Sequence, residues 1–323
     1  MQPSISIALA TYNGEKYLSE QLNSFLRQTL PPDELVVCDD CSEDNTLGIL
    51  NEFSKSAPFP VKIFVNQQNL GYSQNFEKAL SLCTGDIVFL SDQDDAWFPM
   101  KLETVIAEFE QNTKTKVIVN DMIIANELLS PSTSTQLGNI LAARGNSDDF
   151  YSGCCVAIRK DFLGIVLPFP EGQLSHDNWI NHLAQALNVR VLLPVALQLY
   201  RRHGDNASKW ILSSPRGVSQ FRMLRATRLK PSTNGWQDQL ERYRHTKQRI
   251  ASVSHALEQM DLAERQYTAM KFLGRRMTNL EARMLLTSKP RIIRWPNVIS
   301  FWLSGGYTDY ATWKSALKDL IRP

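Results

Sequence analysis

The segment Phe89–Pro99 reads FLSDQDDAWFP, with Asp92, Asp94 and Asp95 crowded behind the apolar run DIVFL. Carboxylates this close repel one another, and some take up protons unless a cation sits among them. Mg²⁺ or Mn²⁺ prefers oxygen ligands, and Mg²⁺ typically uses one or two carboxylates together with substrate phosphates. The Asp92-x-Asp94 spacing in a tight turn lets two carboxylates point to one side. The pattern reads as a strand end that holds a divalent cation and, through it, a phosphorylated substrate. A solvated acidic turn capping the next helix is the plainer reading of the same residues. A second cluster, Cys38-Asp39-Asp40-Cys41, has C-x-x-C spacing, but two aspartates between the thiols raise their pKa and oppose redox use. Zinc would need a second pair at similar spacing, and Cys154 and Cys155 are adjacent.

These residues need a scaffold, and the first half of the chain supplies an alternating one. Strand-like runs at 5–13, 33–40, 61–66, 86–92 and 115–121 alternate with helical spacing at 15–28, 43–54, 73–83 and 99–111. Ser42 is placed to cap the second helix, and Pro99 to start the fourth. Strands alternating with helices predict an α/β domain with a mostly parallel sheet, whose ligands bind beyond the C-terminal strand ends. TYNG, CDDCSEDNT and SDQDD all fall at such ends. Residues 126–150 are polar and read as a long loop. Residues 238–286 carry apolar side chains at helical spacing, among them Met270, Leu273, Met277, Leu280 and Met284.

The 323 residues are 43% hydrophobic, enough to bury a sizeable core. No apolar run is long enough to span a bilayer. The N-terminus reads as a first strand rather than a signal peptide. Five cysteines, mostly in apolar company, fit a reduced cytoplasmic setting. The net charge of +2 hides an asymmetry: residues 1–200 hold 12 basic and 24 acidic residues, and 201–323 hold 23 and 9. Halves this different suggest different partners.

The ordered pieces SIALATYNGEKYLSEQLNSFLRQT, ELVVCDDCSEDNT, NQQNLGYSQNFEKALSLCTGDIVFLSDQDDAWFPMKL, SGCCVAIRKD, LSHDNWI and LYRRHGDNAS cover about residues 4–208. Together they resemble a family 2 glycosyltransferase of the GT-A fold, closest to the bacterial rhamnosyltransferase-like branch. The resemblance implies that Ala10, Thr11 and Tyr12 contact the nucleotide. It implies that Asp40 bonds the base N–H, and that Asn69, Gly71 and Asn75 line the nucleotide pocket. Asp92 would reach the ribose and Asp94 would bind Mn²⁺ or Mg²⁺, with Asp95 supporting the turn. Asp177 matches the base that deprotonates the acceptor, though a helix N-cap fits that position too. Gly153 and Trp179 match the acceptor or sugar pocket. Arg201, Arg202 and His203 follow an apolar strand. Arg201 could supply positive charge to a departing diphosphate, and His203 could ligate the metal or be a structural histidine; simple surface charge is the alternative for both arginines. The Gln-x-x-Arg-Trp motif of processive synthases is absent from this position.

The resemblance thus implies a catalytic domain at 1–205 and a basic, mostly helical region at 206–323. The activity expected is inverting, metal-dependent transfer from a nucleotide-diphosphate sugar, dTDP-L-rhamnose above others, to a lipid-linked or oligosaccharide acceptor. UDP-hexose or UDP-N-acetylhexosamine transfer is the alternative donor class. A non-catalytic sugar-nucleotide-binding subunit and a nucleotidyltransferase are the rivals of other kinds. In the basic half, segments 207–230 and 291–323 mix Trp, Phe and Leu with Lys and Arg, including Trp295, Phe301, Trp302 and Trp313. Such segments lie in anionic membrane interfaces or mediate homo-oligomers. Nucleic acid is not expected, for want of a matching motif. The expected location is cytoplasmic, peripheral at the inner face of the membrane.

Overall fold

The computed structural model describes residues 2–143, 145–170, 175–204, 206, 233–310 and 312–321. The chain divides into two compact units, Met1–Arg228 and Leu229–Pro323. The basic segment 207–230 lies outside the described residues.

The first unit opens with β1 (Ile5–Thr11), α1 (Leu18–Leu26), β2 (Glu34–Asp39), α2 (Thr46–Ser56), β3 (Val61–Val65), α3 (Tyr72–Leu82) and β4 (Ile87–Ser91). β5 (Ala96–Trp97), α4 (Lys101–Gln111), β6 (Val117–Ala125), β7 (Pro131–Thr135) and α5 (Gln136–Ala142) follow. The unit ends with β8 (Val156–Arg159), α6 (Lys160–Val166), α7 (His176–Ala186) and β9 (Arg190–Arg201). One sheet runs β3-β2-β1-β4-β8-β6-β9-β5, with β7 on β6. β1, β2, β3 and β4 are parallel, and β8 turns antiparallel between β4 and β6. β1, β2 and β4 are buried nearly throughout, which is why they read as unbroken apolar runs rather than alternating ones. Their parallel register sets Thr11 beside Asp39 and Leu9 beside Ser91. TYNG, CDDC and SDQDD therefore emerge on one sheet edge.

Two local expectations are corrected. Ser42 does not cap α2, which starts at Thr46 with Asn45 before it. The Ser42 hydroxyl instead donates to Asp39 Oδ1 at 2.6 Å, which folds the chain back over the strand end. Residues 126–150 are not one long loop. They hold β7 and α5, the latter capped by the Thr135 hydroxyl accepting from Gly138 N. β7 is a half-exposed edge strand of Ser and Thr, so it carries no apolar signal.

The second unit contains α8 (Thr233–Ser252), α9 (Ser254–Gln259), α10 (Ala263–Thr287), α11 (Arg291–Leu303) and α12 (Thr312–Ile321). α8 and α10 pack through Trp236, Leu240 and Leu280. Val298, Tyr307 and Ala316 join α11 and α12. Inside, Arg283 makes a two-point ion pair with Asp319 at 2.7 and 3.1 Å, and the Tyr307 hydroxyl donates to the same carboxylate at 2.9 Å. A buried ion pair holds only when its remaining valences are met, and the tyrosine meets one of them. No helix among the described residues is long and apolar enough to cross a membrane.

Candidate active site

The acidic turn after β4 is held from both sides. Gln93 reaches back to β1, its side-chain amide accepting from Tyr12 N and donating to Tyr12 O, each at 2.9 Å. Asp95 is fully buried and accepts from Gln198 Nε2 (2.9 Å) and Arg201 N (3.1 Å) on β9. Asp95 supports the turn, as expected. The pairing of β5 with β9 then carries the chain to the metal candidates. His203 Nε2 lies 2.8 Å from Asp94 Oδ2, and Asn206 Nδ2 lies 3.4 Å from the same oxygen. Asp94 Oδ1 accepts no hydrogen bond among the described residues. The two residues assigned to metal, 109 positions apart, are thus brought together.

Arg201 is not a free surface cation. It is buried, its Nε donates to Asp94 O at 2.7 Å and its Nη1 to Glu127 O at 2.5 Å. Its guanidinium lies 4.5 Å over the Tyr17 ring, and Tyr17 in turn packs on His203. Its Nη2 has no protein partner among the described residues. Arg201 therefore braces the acidic turn and has its Nη2 to offer a ligand.

Burial, then the charges of Asp94 and Asp177, push the Asp92 carboxyl up to about 7. Asp92, Asp95 and Cys154 bring ligand atoms within 4.8 Å of one another, but this cluster does not suit a hard cation. Both Asp95 oxygens are engaged, and the Cys155 side chain and burial hold the Cys154 thiol protonated. Thiolates also favour softer metals. Asp94 and His203, whose side chains meet, are the pair that would suit Mn²⁺ or Mg²⁺ better.

On the neighbouring strand ends Tyr12 is half exposed, next to Ala10 and the buried Thr11, whose hydroxyl donates to Asp39. Asp40 is buried and accepts from Asn66 Nδ2, Leu70 N and Gly71 N at 2.7, 2.7 and 2.8 Å. Most of its capacity shapes the 66–71 loop. Asn75, expected to line the pocket, is instead buried, donating to Cys38 O and accepting from Asn66. Asn69 is exposed and bonds Asp40 O. Gly71, the residue before α3, has φ +80, a conformation L side chains rarely adopt.

α3 then positions α7. The Ser73 hydroxyl accepts from His176 N at 2.9 Å, and the His176 ring stacks on Phe76 at 4.2 Å. Asp177 follows in the first turn of α7. It is not the N-cap, which is Ser175. Its charge raises the pKa of both Asp92 and Tyr72. Trp179 does not line a pocket: it is buried in the core, its indole N–H donating to Val166 O at 2.8 Å.

Residues 6–164 match the sequence profile of Glycosyl transferase family 2. A Shigella flexneri protein named dTDP-rhamnosyl transferase RfbG is 37% identical over 214 residues, covering 61% of this chain and 72% of the relative. The chain belongs to glycosyl transferase family 2. Other relatives are an uncharacterized glycosyltransferase of Nostoc sp., 30% identical over 62% of this chain and 66% of its own length, and an Escherichia coli protein. The latter is named UDP-Glc:alpha-D-GlcNAc-diphosphoundecaprenol beta-1,3-glucosyltransferase WfgD and is 32% identical over 41% of this chain and 53% of its own length. The chain spans 66%, 45% and 59% of the length of the first curated relatives it matches. S. aureus TarS 1-349, solved in complex with UDP-GlcNAc, superposes with TM-score 0.53 at 17% identity, covering 83% of this chain and 91% of that one. That likeness confirms the GT-A fold.

Among the residues of this family 2 site, Lys101 escaped the sequence reading. It is buried in the first turn of α4, its Nζ donating to Cys154 O (3.0 Å) and Gln198 Oε1, and burial pushes it down to about 8. Its spacing to Val105 and Phe109 puts it on the apolar face of α4, and a lysine in that register was the available signal. Gln93, Gln198, Glu127 and Asn206 carried none.

Gly153 is bound to the same geometry. A β-carbon there would overlap His176 Nε2. The His176 ring is buried and stacked on Phe76, so moving it disturbs the first turn of α7, where Asp177 sits. Gly153→Ala is expected to lower kcat about 10²-fold with donor KM little changed, since a misplacement near 1 Å costs that much. Steady-state kinetics check this. Unchanged kcat would show that the glycine is not required.

Proposed function

We propose that this protein is an inverting, metal-dependent glycosyltransferase of surface polysaccharide assembly, moving a sugar from a nucleotide-diphosphate donor to a lipid-linked acceptor. The observation that carries the reading is the meeting of Asp94 with His203 at the strand-end edge, with the Asp177 charge acting on Asp92 from α7. Asp177 takes the proton of the acceptor hydroxyl as its oxygen bonds to the anomeric carbon and the sugar–phosphate bond breaks. One displacement inverts the anomeric centre. Tyr12 offers its ring face to the base, and Arg201 Nη2 a donor to the phosphates. A divalent cation held by Asp94 and His203 would supply the charge that stabilises the departing diphosphate.

dTDP-L-rhamnose is the donor we assign, on the likeness to RfbG. A UDP-hexose is the second reading, favoured by the likeness to WfgD, whose named acceptor also supports a diphosphate-lipid one here. We assign the catalytic role to the first unit. We place the enzyme in the cytoplasm, where nucleotide sugars are used, at the inner face of the membrane.

A panel of nucleotide sugars with Mn²⁺ tests this by thermal shift and product formation. A donor at a hundredfold excess over its Kd stabilises by about 2.7 kcal/mol, which is an upward shift of a few degrees. dTDP-rhamnose is expected to give the largest rise, with dTDP released only when an acceptor is added. A larger rise with a UDP-sugar would select the second donor. Binding without any transfer would leave a non-catalytic sugar-nucleotide-binding subunit.

A further inference from the structure

On α11 and α12 a second set of apolar side chains faces outward. The inner side of α11 is made by Arg294 and Val298, with Phe301 packed edge-on against Tyr307 at 5.1 Å. The outer side carries Ile292, Trp295, Ile299, Trp302 and Leu303, of which Ile292 is 90% and Leu303 78% exposed. α12 repeats the arrangement, with Trp313, Leu317 and Ile321 exposed at four-residue spacing while Ala316 and Asp319 are buried. A soluble helix normally turns its polar face to water. An apolar area of this kind, spread over two adjoining helices, marks a surface that meets something else.

Charge selects the partner. The carboxylates of this region, Asp309 and Asp319, are each taken up by an arginine, Arg275 and Arg283. Lys289, Lys314 and Lys318 are exposed and pair with no carboxylate among the described residues. The face is therefore tryptophan and aliphatic residues beside unneutralised lysines. A protein–protein interface depletes lysine. A bilayer surface uses this combination: the ring and aliphatic groups enter the headgroup boundary and lysine ammonium groups stay among anionic lipids.

We propose that the outer face of α11 and α12 docks on the interface of a membrane containing anionic lipid, with Trp295, Trp302 and Trp313 as its anchors. Phe301, grouped with these from the sequence, is excluded because it belongs to the interior. The inference does not depend on the donor or on catalysis, and it accords with a lipid-linked acceptor.

The full chain is to be sedimented with vesicles of phosphatidylcholine alone and of phosphatidylcholine mixed with phosphatidylglycerol. It is expected to pellet with the mixed vesicles only, and less at high salt, because attraction between surface charges is screened. Trp295→Ser with Trp302→Ser should lower the bound fraction about tenfold or more. Lys289→Gln with Lys314→Gln and Lys318→Gln should do the same while leaving the tryptophans in place. Both variants should elute as the parent does and keep transfer to a soluble acceptor fragment. A parent chain that ignores mixed vesicles overturns the proposal. So does a dimeric parent whose tryptophan variant is monomeric and equally indifferent to vesicles, which would make the face a contact between copies. Vesicle binding with no nucleotide-sugar binding would uphold this inference while removing the transfer reading.

Discussion

Asp94→Ala is expected to abolish sugar transfer, with a drop of about 10³-fold or more, since removing a single preorganised charge-stabilising group already costs about 10²–10³ in kcat. The carboxylate it removes is the one His203 Nε2 touches at 2.8 Å. Its loss strips the turn of the carboxylate that would hold a divalent cation and, through it, the diphosphate. The backbone of the turn should survive, because Arg201 Nε bonds Asp94 O and Asp95 keeps both its partners on β9. Two measurements separate function from folding. Calorimetric titration of dTDP should show Mn²⁺ strengthening binding to the parent and making no difference to the variant. Thermal unfolding without ligand should stay within a few degrees of the parent. A variant that still binds dTDP more tightly with Mn²⁺ would take the metal away from Asp94.

The sheet was readable because its strands are either buried on both faces or end in a polar cluster. DIVFL and ELVV could be little else, and each helix between them shows its apolar face at helical spacing. What escaped was structure without an apolar signal. β7 is PSTST on an edge, and its strand character comes from pairing with β6, which no local pattern encodes. Ser42 was misassigned for a related reason. A serine before a helix competes between the helix N–H groups and any nearer acceptor, and Asp39 was nearer.

The site divides in the same way. Residues at strand ends were legible because a parallel sheet gathers its C-terminal ends on one edge, so Tyr12, Asp40 and Asp92 had to be neighbours. Which of them are free to meet a ligand was not legible, because that depends on what else each side chain must hold. Asn75 and Asp40 are occupied with loop and strand ends, and Trp179 fills the core. The union of Asp94 with His203 rests on β9 pairing with β5, a closure over a hundred residues that spacing alone does not reveal. The resemblance pointed to Asp94 alone, and His203 stood open between a metal ligand and a structural histidine.

Asp177→Asn is the sharper test of mechanism, because it changes charge and almost nothing else. Asn178 N donates to Asp177 Oδ1 at 2.7 Å, and an asparagine oxygen accepts that bond equally well. The start of α7 is fixed by other groups, with Ser73 on the His176 amide and Phe76 against its ring. Donor affinity should therefore match the parent, since Asp177 lies on the acceptor side of the reading. The amide cannot take a proton from the acceptor hydroxyl, so kcat should fall about 10²–10⁴-fold, the range that a positioned general base contributes. A loss confined to kcat with donor KM unchanged is the signature of an interaction made only in the transition state. If the variant turned over near the parent rate, Asp177 would be no more than an acid in the first turn of a helix, favourable to its dipole. The base would then have to be sought among the other carboxylates of the acidic turn.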